Sequence, residues 1–280
     1  MYTEDSKEIY LVDLGEQNNV FYDPRFSKEI LEHFKTHTDD LLTIFDLLFG
    51  YNSKDFQELN KIPVKNVNFE LVEKDEIQKI VYHLNKVSSL GLCECGALDF
   101  TDFKNLKSLG YTWHKDTIGI DKLATLERLS ISKLNTKGKN LEGLKDLINL
   151  KELNIFKSNL TSLSGIEDLK LKKLMLAFLP KLEDLSTFNP TSNLDTLSVI
   201  SCKNLDVNGL ARYFPNVENL ILENQGEIVS IERLLNGFAK LKKISVIGNT
   251  KIKDIKTNPE YPKYLIGKTY NIVGYGVSND

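Results

Sequence analysis

The chain has 280 residues, 41% of them apolar and 27% charged, with a net charge of −3. That balance belongs to a folded globular protein and excludes a disordered chain. The slight acidic excess excludes a global basic field that would recruit nucleic acid or an anionic membrane, and no apolar run approaches the roughly 18 residues of a membrane-spanning helix.

The opening stretch, MYTEDSKEIYLVDLGEQ, lacks the basic leader and apolar core of a secretion signal. Three cysteines, Cys93, Cys95 and Cys202, are too few and too odd for a disulfide framework. Both features point to a reducing, cytoplasmic setting. Residues 1–60 follow no repeat and are expected to form a largely helical N-terminal cap. Within them EIYLVDL reads as a strand, and SKEILEHFKTH as a helix with Ser27 as its cap. DLLTIFDLLFG is apolar on too many sides to face water, so it is expected to pack against the first coil of the region beyond residue 60.

From Val64 to Val246 the pattern apolar-x-x-apolar-x-apolar recurs. The clear copies are LERLSI (Leu126–Ile131), LKELNI (Leu150–Ile155), LKKLML (Leu171–Leu176), LDTLSV (Leu194–Val199), VENLIL (Val217–Leu222) and LKKISV (Leu241–Val246). Weaker ones are VKNVNF (Val64–Phe69), VSSLGL (Val87–Leu92) and LKSLGY (Leu106–Tyr111). The interval drifts between roughly 19 and 24 residues. Apolar fourth and sixth positions with polar neighbours give the period of two of a short, half-buried strand. Between copies, DEIQKIVYHLNK (Asp75–Lys86), DVNGLARYF (Asp206–Phe214) and IVSIERLLNGF (Ile228–Phe238) carry the three- and four-residue spacing of short helices.

On these residues the chain resembles the leucine-rich repeat family over residues 61–255. LTSLSGIEDL looks like the subclass of phosphatase regulators and internalin-type adhesins, and LSVISCKNLDVNGL like the cysteine-containing subclass, so the repeat is mixed. The resemblance implies a right-handed α/β solenoid with a concave parallel sheet and convex short helices, capped at both ends because bare terminal coils would expose core leucines. Its ninth repeat position, where the family places Asn, Cys or Thr, reads Ser158, Leu179, Cys202, Gln225 and Asn249. Residues 256–280, with their tyrosines and prolines, are expected to form the C-terminal cap.

No catalytic set is legible, and neither a cofactor nor a metal is expected. Cys93 and Cys95 form a C-x-C pair without a second ligand pair, with both placed on one side of a strand or its exit. His33 and His37 share one helix face but lack the Glu of a zinc-hydrolase motif, since Phe34 stands there, so they read as surface histidines. His83 and His114 stand alone. Function is expected instead on the outward strand positions. Positions five, seven and eight align Phe156, Met175, Phe178, Ile200 and Ile221 in an apolar strip with Trp113 and Ile247 toward its ends. Lys133, Lys157 and Lys173 border it, with Glu152 and Glu223 among them. An apolar centre in a charged rim is the anatomy of a protein interface. The resulting expectation is a non-enzymatic chain, monomeric alone, that recognises another protein rather than nucleic acid or membrane. As an inhibitor it would be an immunity protein that neutralises a toxin; otherwise it is a scaffold or regulatory adaptor.

Overall fold

The computed structural model of the chain describes residues 9–13, 15, 17–45, 56, 58–183, 185, 194–253 and 269–273. The chain divides into two compact units, residues 1–129 and 130–280, with the division inside a strand, Arg128–Ser132.

The first unit opens with β1 (Tyr10–Asp13) and β2 (Asn18–Phe21), an antiparallel pair. Helix α1 (Ser27–Thr36) follows, and then β3 (Leu41–Phe45), which runs parallel to β2. Next come β4 (Asn66–Glu70), helix α2 (Lys74–Ile80), β5 (Ser89–Gly91) and β6 (Ser108–Thr112), each strand parallel to the one before. Helix α1 turns Ile30 and Phe34 inward, and α2 does the same with Ile77 and Ile80. Phe100 packs edge-on against both Phe103 and Tyr111 below the sheet.

The structure corrects two expectations for residues 1–60. Among its described residues the region is not largely helical, because Leu41–Phe45 is a strand whose neighbour is β4, so parallel pairing begins before the legible repeat. The reason is burial from both sides: Leu42, Thr43 and Ile44 are all enclosed, which erases the alternation that marks a half-buried strand. Ser27 does not cap α1. A single 3-10 turn, Pro24–Phe26, leads into the helix, and Asp23 caps that turn by accepting the Arg25 N–H at 2.9 Å.

Strand β7 (Arg128–Ser132) holds the division between the units. The second unit continues with β8 (Glu152–Phe156), β9 (Lys173–Ala177), β10 (Thr196–Ile200), helix α3 (Leu210–Tyr213), β11 (Asn219–Glu223), β12 (Glu227–Ile228), helix α4 (Ile231–Gly237), β13 (Lys243–Ile247), β14 (Lys251–Ile252) and β15 (Thr269–Val273). Strands β8, β9, β10, β11, β13 and β15 form one parallel run, while β12 and β14 make a separate two-stranded ribbon. The backbone of β15 adds a parallel strand beyond the last repeat; the rest of the expected C-terminal cap, tyrosines included, lies outside the described residues.

Register explains the interior. The fourth positions Leu153, Leu174, Leu197, Leu220 and Ile244 stand side by side, as do the sixth positions Ile155, Leu176, Val199, Leu222 and Val246, and all are buried. Each coil leaves its leucines open to the next, so only stacking removes them from water. Phe214 and Phe238 close the helix side. Each unit is therefore an α/β solenoid of leucine-marked coils, built from a largely parallel sheet with short helices and 3-10 turns between its strands.

The eighth position of the coils of β7 to β13 that belong to the main sheet has a left-handed backbone: Lys133, Lys157, Phe178, Ser201, Asn224 and Gly248 all have positive φ. That conformation turns the chain out of the strand while its N–H still reaches the neighbouring coil. Lys157 N–H donates to the Ala177 carbonyl at 2.9 Å, Phe178 to Ile200 at 2.8 Å, Ser201 to Glu223 at 2.8 Å and Asn224 to Ile247 at 3.1 Å. The ninth-position ladder lies just inside it. Ser158 Oγ donates to the Leu134 carbonyl at 2.6 Å, and the Gln225 amide to both Val199 and Glu223 carbonyls at 2.7 Å. Cys202 Sγ sits 3.4 Å from the Leu176 carbonyl. Asn249 is not a rung: it is exposed, and Thr250 is buried in its place, accepting the Gln225 N–H at 3.0 Å. The last coil turns through Gly248 and needs one more residue before its chain re-enters the core.

Candidate functional site

Fixed register puts the outward side chains of the second unit into rows. Position three reads Glu152, Lys173, Thr196, Asn219 and Lys243; position five, Asn154, Met175, Ser198, Ile221 and Ser245; position seven, Phe156, Ala177, Ile200, Glu223 and Ile247. Neighbouring strands are about 4.8 Å apart, so Met175 and Ile221 flank Ser198 at about 10 Å from each other, with Ile200 on the diagonal between them.

Of the residues expected at the site, Phe156, Met175, Ile200, Ile221, Glu223 and Ile247 are half-buried on this face. Lys133 and Lys157 are exposed, and Phe178 is 49% exposed. Trp113 is half-buried, but it belongs to the first unit. Not every outward position is open. Ala177 and Ser198 are 1% and 4% exposed, because small side chains between Phe156, Met175, Ile200 and Ile221 are shaded by their longer neighbours, and Ser245, beside Ile221, is also buried. The result is a strip in which large apolar groups alternate with small ones, so the centre is shallowly grooved.

The rim is polar and ordered. Lys173 Nζ lies 2.8 Å from Glu152 Oε1, and Asn154 Nδ2 donates to Ser130 Oγ at 3.0 Å. One position earlier along the strands, Lys242 pairs with Glu218 at 2.7 Å and Lys172 with Asp195 at 3.5 Å. The hydrogen bond from Lys242 holds the Glu218 carboxyl below its ordinary range, with Lys240 and Lys172 adding to the effect. Beyond the strip, a polar pocket opens at the turns after β10, β11 and β13, between Ser201, Asn224 and the β12–β14 ribbon. Sequence reasoning missed it; the signal was the asparagine and glycine at 224 and 248, residues that favour left-handed turns.

The chemistry-bearing residues elsewhere are differently placed than their spacing implied. His33 is not a surface histidine. Its side chain is 12% exposed and its Nε2 lies 2.8 Å from Asp40 Oδ2. Asp40 also accepts the Asn18 backbone N–H at 2.9 Å and the Asn18 amide at 3.1 Å. Burial alone would raise the Asp40 carboxyl, but the bonds from Asn18 and His33 outweigh it and hold the group below its ordinary value. His37 is exposed and stacks on His33 with ring centres 4.5 Å apart. The three groups tie α1 to β2 and β3. Cys93 and Cys95 do not face the same way: Cys93 is exposed, whereas Cys95 is buried, and burial pushes its thiol up to about 11. All three cysteines are free thiols, and Cys202, also buried, is raised for the same reason. Among the described residues no group of three or more His, Cys, Asp or Glu side chains is placed to hold a metal ion, and no helix is long and apolar enough to cross a membrane.

No family model matches the chain, and no curated protein matches it. Among solved structures it is similar to a crystal structure of an internalin from Listeria monocytogenes, at 15% identity and a TM-score of 0.48, over 90% of this chain and 72% of that one.

Proposed function

We propose that the second unit recognises another protein through the strip formed by Phe156, Met175, Phe178, Ile200, Ile221 and Ile247, with Lys133, Lys157 and Glu223 in its rim. One observation carries the reading: large apolar side chains sit in adjacent register on the outward face of a sheet whose own core lies on the other side. A contiguous apolar patch inside a polar rim is how interfaces are built, whereas scattered exposed apolar residues need no explanation. The strands are already ordered by main-chain pairing, so little conformational entropy is lost on association. Trp113, in the first unit, is an additional contact candidate.

Inhibition is the finer reading. A rigid strip of this kind blocks whatever surface it covers, which suits a cytoplasmic immunity protein, and the free thiols fit a reducing compartment. A scaffold or adaptor would use the same face but leave its partner active. Affinity capture with wild-type chain and with a Phe178→Ala/Ile221→Glu variant as parallel baits tests the recognition reading. A partner retained only by the wild type supports it, with about 2 kcal/mol or more lost per anchor. A partner held equally by both baits contradicts it. Adding the wild-type chain to that partner's activity assay then separates inhibitor from adaptor.

A further inference from the structure

We infer that the pocket at the turns after β10, β11 and β13 receives a carboxylate from an acidic segment of the protein partner, an inference that rests on the recognition reading above. The pocket adjoins the strip through the chain itself: Ser201 follows Ile200, and Asn224 follows Glu223. An occupant lying along Ile200 and Ile221 therefore reaches it within one or two residues.

The walls are fixed before anything binds. Ser201 and Asn224 are held in left-handed conformation by their N–H bonds to the next coil. Asn224 Oδ1 accepts the Asn249 N–H at 3.0 Å and its Nδ2 donates to Glu223 Oε1 at 3.5 Å, so the side chain is held from both ends. A side chain at Gly248 would meet that same Oδ1 and displace the Asn224 side chain. On the far side the ribbon sets Glu227 beside Lys251, with Lys251 N–H donating to the Gly226 carbonyl at 3.3 Å. Gln225 forms the floor without acting as a ligand: its amide nitrogen is spent on two main-chain carbonyls and its Oε1 is enclosed.

Charge decides the occupant. Glu227, the one acid of the lining, pairs with Lys253 at 2.7 Å. Lys203 and Lys251 form no ion pair among the described residues. Against these two lysines stands the Glu223 carboxylate beside Asn224, so in a chain of net charge −3 the pocket keeps a local excess of positive charge. Two ammonium groups and a hydroxyl suit a carboxylate. A nucleic acid is a poorer fit, because the strip between the lysines is Met and Ile and the strands β8 to β13 contain no arginine. An acidic protein segment bearing apolar side chains complements both parts of the surface.

The test titrates a short peptide of alternating glutamate and leucine, and its glutamine counterpart, into the ¹⁵N-labelled full chain. The expected result is amide shifts at 201, 203, 224–227 and 251 with the glutamate peptide only. Affinity should fall with salt and drop tenfold or more in Lys203→Glu/Lys251→Glu, with a milder loss in Lys203→Gln/Lys251→Gln. Binding unchanged in the lysine variants but lost in Ile200→Ala/Ile221→Ala overturns the pocket and leaves the strip standing. The converse pattern supports the pocket and sinks the strip. No binding at millimolar peptide, or displacement by a single-stranded oligonucleotide at lower concentration, overturns the inference.

Discussion

The Phe178 N–H donates to the Ile200 carbonyl at 2.8 Å, and this bond between adjacent coils holds Phe178 at φ +58°. A bulky residue in left-handed conformation costs about 1–2 kcal/mol relative to one that tolerates it. Five neighbouring coils fill the same position with Lys, Ser, Asn or Gly. Phe178→Asn should therefore leave stability unchanged or raise it by about 1 kcal/mol in urea unfolding, while weakening partner binding. A fall in stability of several kcal/mol would instead make Phe178 a core residue.

The strand register makes a sharp contrast between neighbours. Leu153 is fully buried, and Leu153→Ala should cost about 2–5 kcal/mol as an interior cavity. Asn154 is half-buried on the opposite face and makes one bond, to Ser130, so Asn154→Ala should cost about 1 kcal/mol or less. Equilibrium denaturation of the two variants measures the difference.

Gln225 satisfies two carbonyls from one amide nitrogen. Gln225→Leu takes the side-chain donor away from the Val199 and Glu223 carbonyls, the latter still accepting the Ser201 N–H, and should cost about 1–2 kcal/mol. That Leu179 occupies the equivalent slot shows that leucine fits the space, so the loss would report hydrogen bonding and not size.

The Asp40 carboxyl is held below its ordinary value, so its contribution to folding is fully present above the unfolded value of about 3.9 and is lost as pH falls through the lower folded value. Asp40→Ala should destabilise the first unit by about 1–3 kcal/mol at neutral pH by leaving Asn18 and His33 unpaired. The gap between variant and wild type should shrink between about pH 4 and pH 2. A gap independent of pH across that window would contradict the assignment.

Much of the fold was legible because leucine spacing reports burial directly: LKELNI and its relatives are strands where their alternation says so. Leu41–Phe45 was not, since a strand buried on both faces shows no alternation. His33 was misplaced because its partners, Asp40 and Asn18, are brought to it by the turn after α1 and by β2, which no helix-face argument contains. At the candidate site, row membership followed from position in the repeat, but exposure did not. Ala177 and Ser198 are covered because of the size of their neighbours on other coils, a property of pairs that single positions do not carry. The pocket beside the strip depends on left-handed turns at three successive coils and was invisible for the same reason.

Thiol labelling tests the in-and-out geometry of the second unit most directly. In a Cys93→Ser background the remaining native thiols, Cys95 and Cys202, are buried and unreactive. Met175, Ile200 and Ile221, replaced singly by cysteine, should label promptly in the folded chain, whereas cysteine at Leu174, Val199 or Leu222 should label only after denaturant is added. Protection at 175, 200 and 221, or equal labelling at all six positions, would contradict the strip.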